Sequence, residues 1–347
     1  MSSRGEQILV VGPSWVGDMV MSQVLYIYLQ QTRPGVAIDV LAPVWSEPLL
    51  QRMPEVRSAI NMPLGHGELG LGRRWGLARR LRSQDYDQAL LLPNSLKSAL
   101  VPFFAGIPRR TGWRGEQRYG LLNDLRRLDE KALPLMVQRF LALGQNAGEP
   151  LPEELPSPHL VVDRAQADQV LQRFHLAPDR PLLALCPGAE FGSAKRWPAA
   201  HYAELAARYL ELGWQVVLLG SANDRSVTGE ISGLCESNRD CVDLAGHTRL
   251  AEVVDLLSKA TAVVSNDSGL MHIAAALARP LVVVYGATSP AFTPPLNDNA
   301  AMVVSDIDCA PCFARECPLG HHGCMRYTPM QRVAEELDSL LARGTAA

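Results

Sequence analysis

The sequence ILVVGPSWVGDM, residues 8–19, predicts a β-strand that leads through a glycine-bearing loop into a helix. Residues 8–11 are β-branched or leucine, and a helical pattern of apolar residues runs from about 17 to 31. A second apolar run, at residues 37–41, completes a βαβ unit. Because parallel strands need a crossover helix between them, this opening indicates a doubly wound α/β domain.

A proline-rich stretch indicates where the first domain ends. EPLPEELPSP, residues 149–158, contains four prolines, which resist both a helix and a central strand. Strands and helices alternate again beyond it, so we predict an α/β protein with two Rossmann-like halves. The predicted parts are a first domain over 1–150, a linker region over 151–180 and a second domain over 181–328. We expect the last helical pattern, 329–343, to pack on the first domain.

Composition restricts the class of protein. Of the 347 residues, 47% are hydrophobic and 20% are charged, as in compact soluble proteins, and no apolar run approaches the roughly 20 residues of a spanning helix. The polar N-terminus and an odd number of cysteines, seven, predict a cytoplasmic protein. The net charge of -3 argues against a nucleic-acid partner. Residues 1–150 nevertheless carry 18 Lys and Arg against 13 Asp and Glu, which favours an anionic partner for that half.

The loop after the first strand contains a candidate catalytic residue, Asp18. Ligands of open α/β sheets bind at the carboxyl edge of the strands, where Ser14, Trp15, Gly17 and Asp18 are expected to lie. Asp18 is either a first-turn acid that complements the helix dipole or a general base that removes a proton from an acceptor hydroxyl. The residues alone leave both interpretations open.

Two loops of the second domain have the composition of a phosphate-binding site. SNDSGLMH, residues 265–272, joins a predicted strand to a helix whose first amides can bind phosphate. In PGAEFGSAKRWP, residues 187–198, Lys195 can stabilise charge on a leaving diphosphate without a divalent metal. The predicted donor contacts in these loops are Glu190, Lys195, Asn266, Asp267, Ser268, Gly269, Leu270, Met271 and His272. The alternatives are a plain helix cap at Asp267 or Ser268, a packed His272 and a solvated Lys195.

The cations of the first domain suggest where an acceptor binds. Residues 109–118 hold four arginines in a loop-like segment with glycines, and guanidinium groups suit the carboxylates or phosphates of an acceptor. Simple solvation of these charges is the alternative. The predicted acceptor contacts are Ser14, Trp15, Asn94, Lys97, Arg110 and Arg114.

Four cysteines crowd into one short segment near the C-terminus. Cys309, Cys312, Cys317 and Cys324, with two histidines among them, are candidate ligands of a structural zinc ion or an iron–sulfur cluster. Their spacing matches no standard site, and packed free thiols or an adventitious disulfide are the alternatives. We expect no metal or other cofactor to be required for catalysis.

These motifs together resemble the ADP-heptose:lipopolysaccharide heptosyltransferases over nearly the whole chain. The resemblance rests on GPSWVGDM at 12–19, PNS at 93–95, TGWRG at 111–115, KRWP at 195–198 and NDSGLMH at 266–272. It implies a GT-B fold, in which two Rossmann-like domains face each other across a cleft. It also implies inverting transfer of L-glycero-D-manno-heptose from ADP-heptose to the first heptose of the lipopolysaccharide inner core.

The resemblance also implies roles for particular residues. Asp18 matches the proposed catalytic base of the family, Lys195 its donor-phosphate contact, and residues 267–272 its diphosphate-binding loop, with Gly17 added to the donor set. A ribose-binding acid of one relative falls near residues 220–224, where this chain has no matching glutamate, and Asp224 is the expected substitute. A lipid-anchored acceptor would bring the enzyme to the inner face of the cytoplasmic membrane, with peripheral contact through the basic half.

Other functions fit parts of the same pattern. A glycosyltransferase that uses another nucleotide sugar would share the phosphate-binding loops, and so would a two-lobed nucleotide-sugar-binding protein without catalysis. A dinucleotide oxidoreductase fits less well, because the first βα loop lacks the Gly-x-Gly-x-x-Gly fingerprint.

Overall fold

The protein is described by a computed structural model over residues 5–65, 67–236 and 238–345. The chain divides into two compact units, the first ending at Pro158 and the second beginning at His159. This division lies at the end of the proline-rich stretch. Each unit contains one sheet of six parallel strands.

The first unit alternates strands and helices from its start. Its strands are β1 (Gln7–Val11), β2 (Ala37–Pro43), β3 (Val56–Met62), β4 (Gln88–Leu91), β5 (Arg109–Trp113) and β6 (Asp124–Arg126). Its helices are α1 (Val16–Thr32), α2 (Glu47–Leu50), α3 (Leu71–Leu81), α4 (Leu100–Ala105) and α5 (Met136–Gly144).

The second unit repeats the pattern. Its strands are β7 (Leu182–Cys186), β8 (Gln215–Leu218), β9 (Cys241–Asp243), β10 (Ala262–Asn266), β11 (Leu281–Tyr285) and β12 (Ala300–Val304). Its helices are α6 (Arg164–Arg173), α7 (Ala199–Glu211), α8 (Arg225–Leu234), α9 (Leu250–Lys259), α10 (Gly269–Ala276), α11 (Gly323–Arg326) and α12 (Met330–Thr345).

Both sheets have the strand order of a Rossmann fold. The orders are β3-β2-β1-β4-β5-β6 and β12-β11-β10-β7-β8-β9. In each sheet the first three strands extend to one side, and the fourth strand returns to the other side of the first. Strands β7, β10 and β11 are buried at every residue, as expected when helices cover both faces of a parallel sheet. The predicted fold class, two doubly wound α/β halves, is confirmed. The reversal points lie between β1 and β4 and between β7 and β10, and ligands of such sheets bind there.

The C-terminal helix does not follow the prediction that it packs on the first domain. Val333, Leu337 and Leu340 of α12 belong to the hydrophobic core of the second unit. The hydroxyl of Tyr209, on α7, also donates to Asp338 on α12 at 2.7 Å. The apolar residues of α12 recur at intervals of three and four, which gives one face that can be buried, but this spacing does not say against which domain.

The predicted linker region, 151–180, also needs correction, because it contains helix α6. Asp163 caps this helix by accepting a hydrogen bond from the Gln166 amide at 3.0 Å. Arg173 then pairs with the buried Glu252 of α9 at 2.9 Å, which fixes α6 to the second unit. Residues 151–163 and 174–180, on either side of α6, contain no helix or strand. Within the described residues, no helix is both long and apolar enough to span a membrane.

Candidate functional site

The loop after β1 places Asp18 at the carboxyl edge of the first sheet. The backbone amide of Gly12 donates to Leu41 at 2.9 Å, and α1 begins four residues later with Trp15 as its N-cap. A short loop is possible because Gly12 packs closely: a Cβ there would lie 3.1 Å from Met19. Asp18 is therefore in the first turn of α1 and half-buried, while Ser14 and Trp15 are exposed beside it.

A buried arginine holds the neighbouring loop after β4. The Arg118 guanidinium is 1% exposed and donates to the carbonyl oxygens of Pro93 at 2.7 Å and Trp113 at 2.6 Å, and to the Asn94 side chain at 3.1 Å. Burial lowers the pKa of Arg118 to about 10, so it keeps its charge at neutral pH. Among the residues that the structure describes, none is a hydrogen-bond partner of its Nε. Arg118 thus joins the loops that follow β4 and β5, a role that the sequence did not reveal.

The same two loops touch through their backbones. A Cβ on Gly115 would collide with the carbonyl oxygen of Asn94, so only glycine fits there. The amide of Glu116 donates to that oxygen at 3.1 Å, and its carboxylate accepts from the Leu96 amide at 2.7 Å. These bonds hold Asn94 in an exposed position at the edge of the sheet.

The cationic residues predicted to bind the acceptor differ in exposure and in their hydrogen bonds within the protein. Arg114 is exposed, and Lys97 is partly exposed beside Asn94. Arg110, by contrast, donates to the carbonyl oxygens of Leu121 at 2.7 Å and Ile107 at 2.5 Å. Its guanidinium therefore stabilises the local loop, and the contact of Arg110 with an acceptor stays a prediction. The charge pattern could not distinguish these cases.

In the second unit, the loops after β7 and β10 are joined by a buried ion pair. The Nζ of Lys195 lies 2.7 Å from the Oδ2 of Asp267, and the two side chains are 14% and 4% exposed. The Thr288 hydroxyl donates to the same oxygen at 2.6 Å. Lys195 is therefore not a solvated surface lysine. Thr288, in the loop after β11, is a third member of this network, which the sequence analysis missed.

Three residues of the predicted donor loop have side chains that pack in the interior. Asn266 is completely buried, donates to the Pro187 carbonyl oxygen at 2.6 Å and accepts from Tyr202 at 3.0 Å. Met271 is completely buried, and Asp267 is occupied by its own partners. These side chains shape the loop, and the contact of these three residues with the donor stays a prediction. Ser268, Gly269 and Leu270 are partly exposed and remain predicted contacts.

His272 is also buried, which decides its charge. It is 5% exposed, and desolvation lowers its pKa to about 4, while Asp267 acts in the opposite direction. The imidazole is therefore neutral at physiological pH. It cannot add a positive charge to the phosphate-binding loop, and its contact with the donor stays a prediction.

Two further predicted donor contacts are Glu190, in the loop after β7, and Asp224, in the loop after β8. Asp224 is almost buried and completes a capping box, because it accepts from the Ser221 amide at 2.9 Å. Gly188 makes room for this carboxylate, since a Cβ there would lie 2.5 Å from its Cγ. Asp224 thus has a structural role in this loop, and its contact with the ribose stays a prediction. Glu190 is exposed in the loop after β7 and remains a predicted contact.

The segment that contains the four clustered cysteines, residues 309–324, lies next to the loop that contains Lys195, residues 187–198. Arg315 stacks on Phe191 with 5.2 Å between its guanidinium carbon and the ring centroid, and Lys195 lies 5.0 Å from that centroid. All seven cysteines are free thiols. Burial raises the pKa of Cys324, and charges on Cys309, Cys312 and Cys317 raise it further.

Comparison with known proteins identifies the family. The family model of glycosyltransferase family 9 (heptosyltransferase) matches residues 74–322. Lipopolysaccharide heptosyltransferase 2 of Escherichia coli K12 is 51% identical over 98% of this chain and 100% of its own length. Lipooligosaccharide heptosyltransferase 2 of Haemophilus influenzae is 54% identical over 85% of this chain and 88% of its own.

Solved structures agree with this identification. The E. coli ADP-heptose lps heptosyltransferase II matches with a TM-score of 0.89 and 49% identity, covering 98% of this chain and 99% of that chain. A family 9 glycosyltransferase of Veillonella parvula, at 18% identity, shares the fold with a TM-score of 0.86 over 99% of both chains. The motif resemblance and the predicted fold class are confirmed. This chain therefore belongs to glycosyltransferase family 9, the heptosyltransferases.

Proposed function

We propose that this chain transfers L-glycero-D-manno-heptose from ADP-heptose to the first heptose of the lipopolysaccharide inner core, with inversion at the anomeric carbon. The observation that carries the proposal is the full-length identity of 51% with the lipopolysaccharide heptosyltransferase 2 of E. coli. The candidate residues of both units also lie at the edges of the sheets where Rossmann folds bind ligands.

On the donor side, the second unit stabilises the departing ADP. The N-terminus of α10, at Gly269, directs backbone amides and the positive end of a helix dipole toward a phosphate. Lys195 adds an ammonium that Asp267 holds in place, and an ammonium has three donors, so it can contact a phosphate oxygen as well. Charge grows on the phosphate oxygens as the sugar leaves, so these preorganised groups stabilise the transition state without a divalent metal.

On the acceptor side, the first unit supplies the base. Asp18 accepts the proton of the acceptor hydroxyl while that oxygen attacks the anomeric carbon from the face opposite ADP. Asn94, Lys97 and Arg114, on the loops that Arg118 and Gly115 hold together, bind the anionic inner core. Trp15 and Ser14 stand beside Asp18 as further acceptor contacts.

A surface of the first unit suits peripheral attachment to an anionic membrane from the cytoplasm. Leu71, Trp75 and Arg79 follow one another at helical spacing on α3, where Leu71 and Trp75 are 51% and 45% exposed, and Arg82 comes directly after the helix. Interfacial helices combine such aromatic and basic residues. Arg79→Glu should reduce sedimentation with vesicles containing anionic lipid and leave transfer to a short soluble acceptor unchanged. Equal sedimentation of both proteins would refute this attachment.

The function is tested by ADP release from purified protein. We expect turnover with ADP-heptose and an inner core that carries one heptose, and none with UDP-sugars, GDP-sugars or an inner core without heptose. Turnover with another nucleotide sugar would replace the donor assignment. Donor binding without any ADP release would indicate the non-catalytic binding protein instead.

A further inference from the structure

A cavity of the second unit gathers the cysteines that the proposed reaction does not use. Its walls include Cys309, Cys312, Cys317, Cys324, His321 and His322. All four sulfurs are free thiols. The segment that carries them packs on the end of the second sheet: a Cβ on Gly286, directly after β11, would lie 3.0 Å from the Cys324 sulfur. Residues that are spread over a stretch of 16 in sequence therefore converge on one space.

The backbone around Cys317 is shaped to support a thiolate. The amide of His322 donates to the Cys317 sulfur at 3.4 Å, and the amide of Gly320 donates to the Cys317 carbonyl oxygen at 3.1 Å. Gly320 closes this turn with a φ of +69°, in the left-handed region that favours glycine. Backbone amides directed at a sulfur stabilise its charged form, and the thiolate is the form that binds metals.

Zinc and divalent iron both accept four thiolates in a tetrahedral arrangement. Across residues 5–65, 67–236 and 238–345, no three Cys, His, Asp or Glu side chains are already placed to hold an ion together. Binding must therefore draw the sulfurs of the segment toward one another. The segment has room to move, because Cys312 is exposed and Leu319 is 62% exposed.

The segment also contacts two of the three loops that carry Lys195, Asp267 and Thr288, namely those after β7 and β11. The amide of Ala194, next to Lys195, donates to the Arg315 carbonyl oxygen at 3.1 Å. The amide of Phe313 donates to the carbonyl oxygen of Ala287, next to Thr288, at 2.7 Å. A Cβ on Gly192 would collide with the Arg315 carbonyl oxygen, so the contact is a close backbone approach. Ala194 and Ala287 also line the cysteine cavity.

We propose that Cys309, Cys312, Cys317 and Cys324 bind one divalent zinc or iron ion, and that this ion braces the loops that hold Lys195 and Thr288. The ion is structural and takes no part in sugar transfer. Its binding orders residues 313–315, which lie between the second and third ligands. It thereby fixes the two backbone contacts to the loops that hold Lys195 and Thr288. The donor affinity of the proposed enzyme should therefore depend on a metal that does not touch the donor.

Metal content tests the proposal directly. Protein purified under reducing conditions without added chelator should contain about one zinc or iron per chain by elemental analysis. After removal of the ion, Co²⁺ should restore one equivalent, with an absorption spectrum of tetrahedral thiolate ligation. Cys312→Ser should lose the tetrathiolate spectrum, and Cys235→Ala, which removes a buried thiol outside the cavity, should keep it. Circular dichroism confirms that both variants fold.

Three results would overturn the metal site. One is the absence of bound ion together with no Co²⁺ spectrum in the reduced wild-type protein. Another is an unchanged spectrum in Cys312→Ser. The third is a disulfide between two of the four cysteines in protein kept reduced. Binding of ADP, measured by calorimetry, should weaken about tenfold when the ion is removed. An unchanged affinity would refute the part of the proposal in which the ion stabilises the loops of Lys195 and Thr288. Metal content is measured without any sugar substrate, so it stands independently of the proposed function.

Discussion

The ion pair between Lys195 and Asp267 predicts a large loss of stability in Lys195→Ala. The pair is 2.7 Å long, and its side chains are 14% and 4% exposed, so little water can replace the missing ammonium. Removing one partner of a buried pair costs about 3–5 kcal/mol. Thr288 still donates to Asp267 in this variant, and Lys195 is itself slightly exposed. We therefore expect a loss of about 3 kcal/mol in the free energy of unfolding, at the lower end of this range. In a unit of this size, that lowers Tm by about 6–12 °C.

A second ion pair of the same unit provides the control. Lys259 lies 2.6 Å from Asp168, but these side chains are 34% and 64% exposed. Lys259→Ala should therefore cost at most about 1 kcal/mol, because exposed pairs are weak. In the double variant Lys195→Ala/Asp267→Ala no buried charge is left unpaired, so it should be more stable than Lys195→Ala alone.

Calorimetry and ADP release together decide the outcome. Calorimetry gives Tm for each variant, and the release assay is run well below the Tm of the least stable one. Lys195→Ala should both raise the KM for the donor and lower kcat, because its charge acts on the bound donor and more strongly on the transition state. Equal Tm losses in the Lys195 and Lys259 variants would refute the reasoning about the buried pair. An unchanged KM and kcat would remove Lys195 from donor binding.

Three other perturbations test separate parts of the site. Asp18→Asn should leave ADP-heptose affinity intact and lower turnover by about 10²–10⁴-fold in a coupled ADP-release assay, the usual share of general-base catalysis. Gly115→Ala should displace the Asn94 loop, since the new Cβ meets its carbonyl oxygen, and should raise the acceptor KM several-fold with the donor KM unchanged. His272 has its pKa lowered to about 4, so the folded state binds its proton less readily than the unfolded state. Its stabilising contribution is complete above about pH 6.5 and is lost as pH falls toward 4, by about 2–4 kcal/mol in denaturant titrations, and His272→Gln should flatten this slope.

Each of these variants has a matched control. Glu130→Gln changes an exposed acid of the first unit and should leave turnover unchanged, whereas equal losses in both acid variants would argue against a base at Asp18. Gly76→Ala introduces a Cβ with nothing within 4 Å on exposed α3 and should raise stability by about 0.5–1 kcal/mol. His247→Gln changes an exposed histidine and should keep the acid slope of the wild-type protein; a slope that also persists in His272→Gln would refute the assignment.

The sequence predicted the two α/β halves because alternating short apolar runs and helical patterns are local properties. The strand at residues 8–11 and the helix after it appear close to the expected bounds. It also placed Asp18, Lys195 and Gly269 in loops after strands, since a strand–loop–helix order fixes the edge of the sheet at which a loop emerges.

Burial was harder to predict, because it depends on contacts between distant residues. Asn266 and Ser268 are near neighbours of similar polarity, yet one is completely buried and the other partly exposed. Arg110 and Arg118 belong to one arginine-rich segment, and both donate to backbone carbonyl oxygens. Arg114, between them, is exposed. No local pattern separates these cases.

The sequence by itself determined the class of fold, the loops that carry the candidate site and the family, because these follow from periodicity and from short motifs. Only the tertiary structure decided which side chains those loops expose, that Thr288 joins Lys195 and Asp267, and that α12 packs on the second unit. The physical reason is that hydrogen bonds and apolar burial join residues far apart in the chain. A motif records which groups are present, whereas the fold decides which of them are already satisfied by the protein.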